Sequence, residues 1–562
     1  MAHLLTLHDP AVARENYLSG IWQTDTLYAL ARRHATERGT AYALRDSARR
    51  LSWATVVAWA DAVAADLHAA GLRAGDRVSI WLPNRLENVI IFLACSRNGY
   101  VCNVSLHQNY TVAEIKALLS RIETKALFAQ PGWGADADQV DVFTEAAQLP
   151  QMKRVYALPS LRTPHAALPA GGHAMPQAAP TSVHHFPPPS SNADQVVYLA
   201  FTSGTTGTPK GVMHSDNTLL ANARAMVSDW GHDHHTILLT LSPMSHHIGT
   251  VALDQVLVAG GELVEFDPTA GIGALDWIEQ TGATYVMGVP THAMDLLQEV
   301  DKRGLQRLGS VTTFYMAGAP IPTEVARRLL ELGAKPQNVY GMTENGSHQY
   351  TQPDDPVSVI TSTCGKALHG YEIRLWSQDN HDVEVNPGEV GEIGGRGGVL
   401  MLGYFNNQSA TENSFNSSGW FLSGDLGQLD EQGNLRIVGR AKDLIIRGGH
   451  NIHPAHIEEY AHRHPRVKKA AAFGVPDDRL GEKVCLALIC HGQGDEMPAA
   501  EDILQHLAKE GLSKFDMPEY FAIVQEFPLT PSGKILKREL VQWVAAGRLQ
   551  PQSVRYRAPT SA

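Results

Sequence analysis

From Thr202 to Gly211 the chain reads Thr202-Ser203-Gly204-Thr205-Thr206-Gly207-Thr208-Pro209-Lys210-Gly211, three glycines among hydroxyl side chains, with a lysine near the end. Glycine lets backbone N–H groups come close to a ligand. The hydroxyls add donors, and Lys210 adds a compact positive charge suited to phosphate. The apolar run Val196-Val197-Tyr198-Leu199-Ala200-Phe201 just before it reads as a buried strand. A strand feeding such a turn is chemistry for holding a polyphosphate. The spacing is not that of a Walker loop, which needs Gly, four residues, then Gly-Lys and a hydroxyl. Here Lys210 comes three residues after Gly207 and directly after Pro209. In isolation the same composition also fits a solvated loop, so the rest of the chain decides between them.

The elements that must position this turn follow from length and hydropathy. A chain of 562 residues exceeds what one core usually supports, so two or more domains are expected. Its 44% hydrophobic and 19% charged residues are those of an ordinary globular protein. The net charge of −12 argues against non-specific binding to nucleic acid or anionic membranes, while leaving a local phosphate site open. Five scattered cysteines, none in a C-x-x-C pair, and an N-terminus without a long apolar region point to a reduced, cytoplasmic setting with no signal peptide. The apolar run 89–95 is too short to span a bilayer.

Residues 52–70 carry a helical period, with Trp53, Val56, Ala60, Val63 and Leu67 on one face. Residues 77–82 alternate like a strand, and a second helix–strand pair follows over 87–104, an α/β rhythm. Residues 157–192, rich in Pro, Ala, Ser and His, read as an irregular connection. Strand–helix alternation resumes at 196. Short strands with Gly-rich turns take over across 388–440, and α/β character returns after a boundary near 440, with a helix over 455–463 and a strand over 484–490.

Further motifs occur in a fixed order: Tyr340-Gly341-Met342-Thr343-Glu344, Ser423-Gly424-Asp425, Gly439-Arg440-Ala441-Lys442-Asp443 and Pro531-Ser532-Gly533-Lys534. With the glycine-rich turn, this set resembles the adenylate-forming superfamily of acyl-CoA synthetases, adenylation domains and luciferases, over roughly residues 25–545. The resemblance implies a large α/β N-terminal domain of several subdomains over 1–441 and a small mobile α+β domain over 442–562. It also implies two half-reactions. A carboxylate and ATP give acyl-AMP and pyrophosphate, and a thiol then displaces AMP. The first step brings two anions together, so it needs positive charge and a metal. By resemblance, Thr202, Ser203, Gly204, Thr205, Thr206, Gly207 and Lys210 clamp the phosphates. Thr343 donates to the α-phosphate and Glu344 holds Mg²⁺, an ion that usually takes one or two carboxylates plus phosphate oxygens. Tyr340, with Gly341 and Met342, faces the adenine, and Gly318, Ala319 and Pro320 form the other wall. Asp425 accepts from the ribose hydroxyls and Arg440 stands near ribose and phosphate. Lys534 bridges carboxylate and phosphate, and Lys442 is the hinge about which the small domain rotates, bringing Gly448 and Gly449 to a pantetheine tunnel. Residues 528–534 also resemble the acetylation motif of bacterial acyl-CoA synthetases, and acetylating Lys534 would remove its charge.

The acyl pocket implied by the resemblance is lined by His246, His247, Ile248, Val289, Pro290, Gly318, Gly341 and Gly346, with His246 at the gate. Amino-acid adenylation domains carry an aspartate just after the gate, where this chain has His247. Residues 341–351 and 447–456 look closest to cyclohexanecarboxylate-CoA ligases and related short- and medium-chain acyl-CoA ligases. The expected activity is therefore an ATP-dependent acid–CoA ligase acting on a cyclic, aromatic or medium-chain acid. The alternatives are an acyl-AMP ligase that loads a carrier protein and a non-catalytic adenylate-binding protein. Its expected partners are a small-molecule carboxylic acid, ATP, Mg²⁺ and CoA, without nucleic acid or a membrane span; a homodimer is left open.

Overall fold

The computed structural model describes residues 4–177, 186–202, 209–319, 321–448, 450–492, 497–529 and 535–556. The chain forms two compact units. The larger holds the described residues up to Ile373 together with Gly395–Phe415; the smaller holds Arg374–Gly394 and the described residues from Asn416 onward.

The elements that carry the site are, in chain order, β1 (Val196–Thr202), β2 (Lys210–Ser215), α1 (Asp216–Trp230), β3 (Ile237–Thr240), α2 (His247–Ala259), β4 (Tyr285–Gly288), α3 (Pro290–Arg303), β5 (Thr313–Ala317), β6 (Lys335–Met342), β7 (Gly346–Tyr350), β8 (Phe421–Leu429), β9 (Leu435–Arg440) and α4 (Pro454–His462). In the larger unit one sheet has six strands, ordered Arg154–Ala157, Thr124–Ala129, Arg77–Trp81, Val101–Asn103, β1, β2; all neighbours are parallel except β1 and β2. The second has nine strands and is parallel from β6 through β5, β4, β3 and Glu262–Glu265 to Tyr42–Arg45, with antiparallel strands at both edges.

The expected strand at 196–201 is β1, buried along its apolar run because helices and loops cover both faces of a parallel sheet. Arg77–Trp81 differs from its alternating pattern, since every residue is buried. Its central place in the sheet explains this, and its polar side chains find partners: Arg77 Nε donates to the Ile122 carbonyl at 2.6 Å, and Ser79 lies 2.9 Å from the Thr124 hydroxyl. The helix expected over 52–70 runs Trp53–Ala69, capped by the Ser52 hydroxyl, and buries the five residues of its apolar face. Between Ala157 and Val196 the described residues form neither helix nor strand.

In the smaller unit β8 and β9 pair antiparallel within a four-stranded sheet, and α4 and Ala500–Lys509 pack on a six-stranded sheet around Ile457, Leu486, Ile503 and Phe521. Among the described residues no helix is long and apolar enough to cross a membrane.

Candidate active site

β3, β4, β5 and β6 lie close together in the nine-stranded sheet and point the same way, so the segments leaving their C-terminal ends share one rim. Open parallel sheets bind ligands at that rim. β3 leads to His246 and His247, β4 to Val289 and Pro290, β5 to Gly318 and Ala319, and β6 ends on Gly341 and Met342. The sequence-predicted acyl and adenine residues of the larger unit thus gather on one edge.

Backbone approach governs the turn after β6. A side chain on Gly341 would put its Cβ 1.8 Å from the Gly346 carbonyl oxygen. Gly346 has φ +61, and a Cβ there would meet the Asn222 amide oxygen at 2.8 Å. Asn222 in turn clamps Ser347, accepting from its N–H at 3.0 Å and donating to its carbonyl at 2.9 Å. Asn345 ties the turn internally, accepting from the Met342 N–H at 3.2 Å and donating to the Tyr371 hydroxyl at 3.1 Å. Thr343 is held from below, where His214 Nε2 lies 2.7 Å from its carbonyl oxygen. A carbonyl only accepts, so His214 carries its proton on Nε2, and its Nδ1 accepts from the Thr218 hydroxyl at 3.0 Å. Burial pushes the His214 pKa down to about 4, so the ring is neutral.

Thr202 and Lys210 face each other across the β1–β2 ladder, and the Thr202 hydroxyl donates to the Lys210 carbonyl at 3.5 Å. The Arg121 guanidinium donates to the Pro209 carbonyl at 2.5 Å. Lys210 Nζ sits 4.6 Å from the centre of the Tyr404 ring, and the Tyr404 hydroxyl donates to Glu344 Oε1 at 2.9 Å. The segment carrying Tyr404 runs beside β2: Met213 N–H donates to the Gly403 carbonyl at 3.0 Å, and Phe405 N–H to the Gly211 carbonyl at 2.7 Å. The Met401 N–H holds the Glu344 carbonyl at 2.7 Å. Burial and the Glu344 carboxylate push the Tyr404 phenol up, which keeps it a donor. The lysine that ends the glycine-rich turn and the glutamate of the β6 turn therefore share one tyrosine.

The start of α2 carries residues that the sequence assigns to the acyl pocket. His246 is the N-cap of α2, its Nδ1 accepting from the Ile248 N–H at 3.3 Å. Ile248 is buried, and Gly249 leaves no room for a side chain, since a Cβ would lie 2.7 Å from the Pro243 carbonyl. His247 Nδ1 is 3.0 Å from the Tyr198 hydroxyl, and its ring stacks on His214 with centroids 5.7 Å apart. Ser245 meets His107 Nδ1 at 3.0 Å, and burial pushes the His107 pKa down to about 4. On the β7 side the Tyr315 and Ser347 hydroxyls meet at 2.8 Å. Gly318, with φ +88, faces Val289 at 3.9 Å from a hypothetical Cβ.

In the smaller unit Asp425 and Arg440 are cross-strand partners on β8 and β9, and Arg440 Nε lies 3.2 Å from Asp425 Oδ1. The sequence assigned both to the nucleotide without linking them to each other. Lys442 lies in the 3-10 turn Ala441–Asp443, and Gly448 has φ +59. Ser203, Gly204, Thr205, Thr206, Gly207, Pro320, Gly449 and Lys534 lie outside the described residues. Tyr404, His214, Asn222 and His107 were missed by sequence reasoning. Each reaches the site from a distant segment, and no local spacing marks them.

The model of the AMP-binding enzymes matches residues 31–405, and that of the AMP-binding enzyme C-terminal domain matches residues 456–534. A medium-chain fatty-acid–CoA ligase of Escherichia coli (strain K12) is 30% identical over 471 residues, covering 84% of this chain and 81% of the relative. A 2-hydroxy-7-methoxy-5-methyl-1-naphthoate–CoA ligase of Streptomyces carzinostaticus is 31% identical over 559 residues, covering 96% of each chain. Among solved structures, ATP-bound MatB from Rhodopseudomonas palustris superposes with a TM-score of 0.79 at 29% identity, covering 92% of this chain and 99% of that one. With two family models matching in order and a rim built as described, the chain belongs to the AMP-binding enzymes, the adenylate-forming superfamily.

Proposed function

We propose that the protein is an ATP-dependent carboxylic acid–CoA ligase acting on a cyclic, aromatic or medium-chain acid. The observation that carries this reading is the Lys210–Tyr404–Glu344 arrangement, which ties the phosphate end of the site to the β6 turn. In the first half-reaction a carboxylate oxygen of the acid bonds to the α-phosphorus of ATP, and the bond to the β-phosphate oxygen breaks, releasing pyrophosphate. In the second, the CoA thiol, losing its proton, adds to the acyl carbonyl and AMP leaves. Lys210 would supply positive charge where pyrophosphate departs, and Thr343 would donate to the α-phosphate, a role supported by the hold of His214 on its carbonyl.

One carboxylate beside a phosphate site fits Mg²⁺, and Glu344, its Oε1 oriented by Tyr404, is the residue that would hold it. When bound, that ion would neutralise phosphate charge. Tyr340 would lie against the adenine, and Asp425 and Arg440 would take the ribose side. The medium-chain and naphthoate ligases among the relatives support an apolar or aromatic acid. The proposal extends to a mobile part over 442–562, hinged at Lys442, with Lys534 serving adenylation only and open to control by acetylation.

Acid-dependent ATP–pyrophosphate exchange over a panel of cyclohexane, benzoate-like and medium-chain acids, followed by thioester detection with CoA, tests the reading. Exchange plus thioester and AMP is the expected result; exchange without thioester would instead indicate loading of a carrier protein. Lys534→Ala is expected to abolish exchange while sparing thioester formation from supplied acyl-AMP, and equal loss of both would count against the rotation.

A further inference from the structure

The turn that leads from α1 into β3 brings three metal-ligating side chains together. Asp233, His234 and His235 are exposed, and one donor atom of each lies within 4.8 Å of the others. The two imidazole rings lie side by side, with centroids 4.0 Å apart. The turn is held in shape from within. The Thr236 N–H donates to the Asp233 carbonyl at 3.0 Å, and the Asp233 N–H donates to the Thr236 hydroxyl at 3.1 Å. The His235 N–H donates to Asp233 Oδ1 at 2.8 Å, which folds the carboxylate back toward the two histidines. The turn is also pinned to the nine-stranded sheet. The Thr236 carbonyl accepts from the Glu262 N–H at 3.0 Å, and a Cβ on Gly261 would lie 2.3 Å from that same oxygen.

The donor atoms of this turn are unspent. Among the described residues neither imidazole has a hydrogen-bond or ion-pair partner, and Asp233 Oδ2 has none either. A tetrahedral ion about 2.0–2.1 Å from each donor holds the donors about 3.4 Å apart. Small side-chain rotations on an exposed turn therefore bring the three to bonding distance with the backbone in place. Two imidazoles and one carboxylate suit a transition-metal ion such as Zn²⁺, whereas Mg²⁺ and Ca²⁺ favour oxygen donors alone. Three protein donors leave a fourth position to water.

We propose that Asp233, His234 and His235 form a binding site for one divalent transition-metal ion of the Zn²⁺ kind, distinct from the Mg²⁺ assigned to Glu344. The turn precedes β3, so it lies at the N-terminal end of that strand, whereas the candidate site residues gather at the C-terminal ends. An ion there takes no part in the ligase steps. It ties the end of α1 to the start of β3. An ion that binds the folded turn more tightly than the unfolded chain raises stability by mass action.

The test titrates Zn²⁺ into untagged, metal-stripped full-length protein against a chromophoric chelator. It compares the wild type with Asp233→Asn and with the double variant His234→Ala/His235→Ala, the folding of each checked by circular dichroism. The wild type is expected to take up one more equivalent of Zn²⁺ than the double variant. Its unfolding temperature is expected to rise with Zn²⁺ by more than that of the double variant. Asp233→Asn keeps an acceptor for the His235 N–H, so the turn keeps its shape. Its affinity for Zn²⁺ is expected to fall by about tenfold or more, the range seen when a metal's surroundings are disturbed. Equal Zn²⁺ uptake by the wild type and the double variant would overturn the proposal, as would an unchanged affinity in Asp233→Asn. Displacement of Zn²⁺ by an equal concentration of Mg²⁺ would overturn the choice of ion. None of these readouts depends on ligase activity, so failure here leaves the ligase reading untouched.

Discussion

Around Gly341 and Gly346 two stretches of backbone pass so closely that no side chain fits between them, whereas around His247 the space is filled by the rings of Tyr198 and His214 and the first turn of α2. Both regions flank the same rim of the nine-stranded sheet. The first is defined by where backbone must go, and the second by which side chains happen to pack. A turn of the first kind tolerates almost no substitution, so it can serve the nucleotide that every family member shares. A wall of the second kind can be rebuilt residue by residue, so it suits the part of the reaction that distinguishes one acid from another. His214 connects the two, with one face on His247 and one N–H on the Thr343 carbonyl.

Three substitutions probe that contrast. Gly341→Ala drives a methyl group into the Gly346 carbonyl, so the turn must shift. Exchange with any acid is expected to fall by about 100-fold or more, as for a displacement of about an ångström at a reacting centre. A loss confined to some acids would mean that Gly341 belongs to the acyl wall instead. His214→Leu removes one hydrogen bond to the turn and the ring that stacks on His247. Its expected effect is about tenfold on exchange kcat, together with a changed order of preference among acids, measured by steady-state kinetics. If only the order of acids changed, His214 would belong to the acyl wall alone.

Asp216→Asn is expected to leave exchange intact and alter stability only. Asp216 is fully buried at the start of α1. Its Oδ1 accepts from the Leu27 N–H at 2.9 Å and the Ser96 hydroxyl at 3.2 Å, while Oδ2 has no partner among the described residues. Burial raises its pKa from 3.8 to about 7. The folded state therefore holds this proton more tightly than the unfolded chain does. Stability falls as pH rises from 3.8 toward 7 and levels off above, by on the order of 2–4 kcal/mol from this group. In Asp216→Asn that slope is expected to disappear, so denaturant midpoints for wild type and variant diverge from pH 4 to pH 7 in favour of the variant. Parallel profiles would show that Asp216 ionises normally in the folded state.

The same contrast explains what could be read from the sequence. The β1 run, the Trp53–Ala69 helix and the motif at 340–344 were legible because each depends on neighbours in sequence: period, turn chemistry, glycine at a close approach. Even there, the complete burial of Arg77–Trp81 was not legible, since it follows from the strand's place in the sheet and not from its own alternation. Tyr404 was invisible because it meets Glu344 from 60 residues away, and His214 because it reaches Thr343 from 129 residues away. The Asp425–Arg440 pair needed the β8–β9 register before two separately assigned residues became one unit. Residue types at fixed spacing mark the expected site residues, and tertiary packing supplies the distant partners that hold them.

The most direct test of the central claim is to follow ATP, with Mg²⁺, CoA and a panel of carboxylic acids, and to identify every product. One equivalent each of AMP, pyrophosphate and acyl-CoA thioester is expected for at least one acid, with pyrophosphate exchange requiring acid but not CoA. Formation of ADP and phosphate, or exchange that proceeds without any acid, would contradict the account.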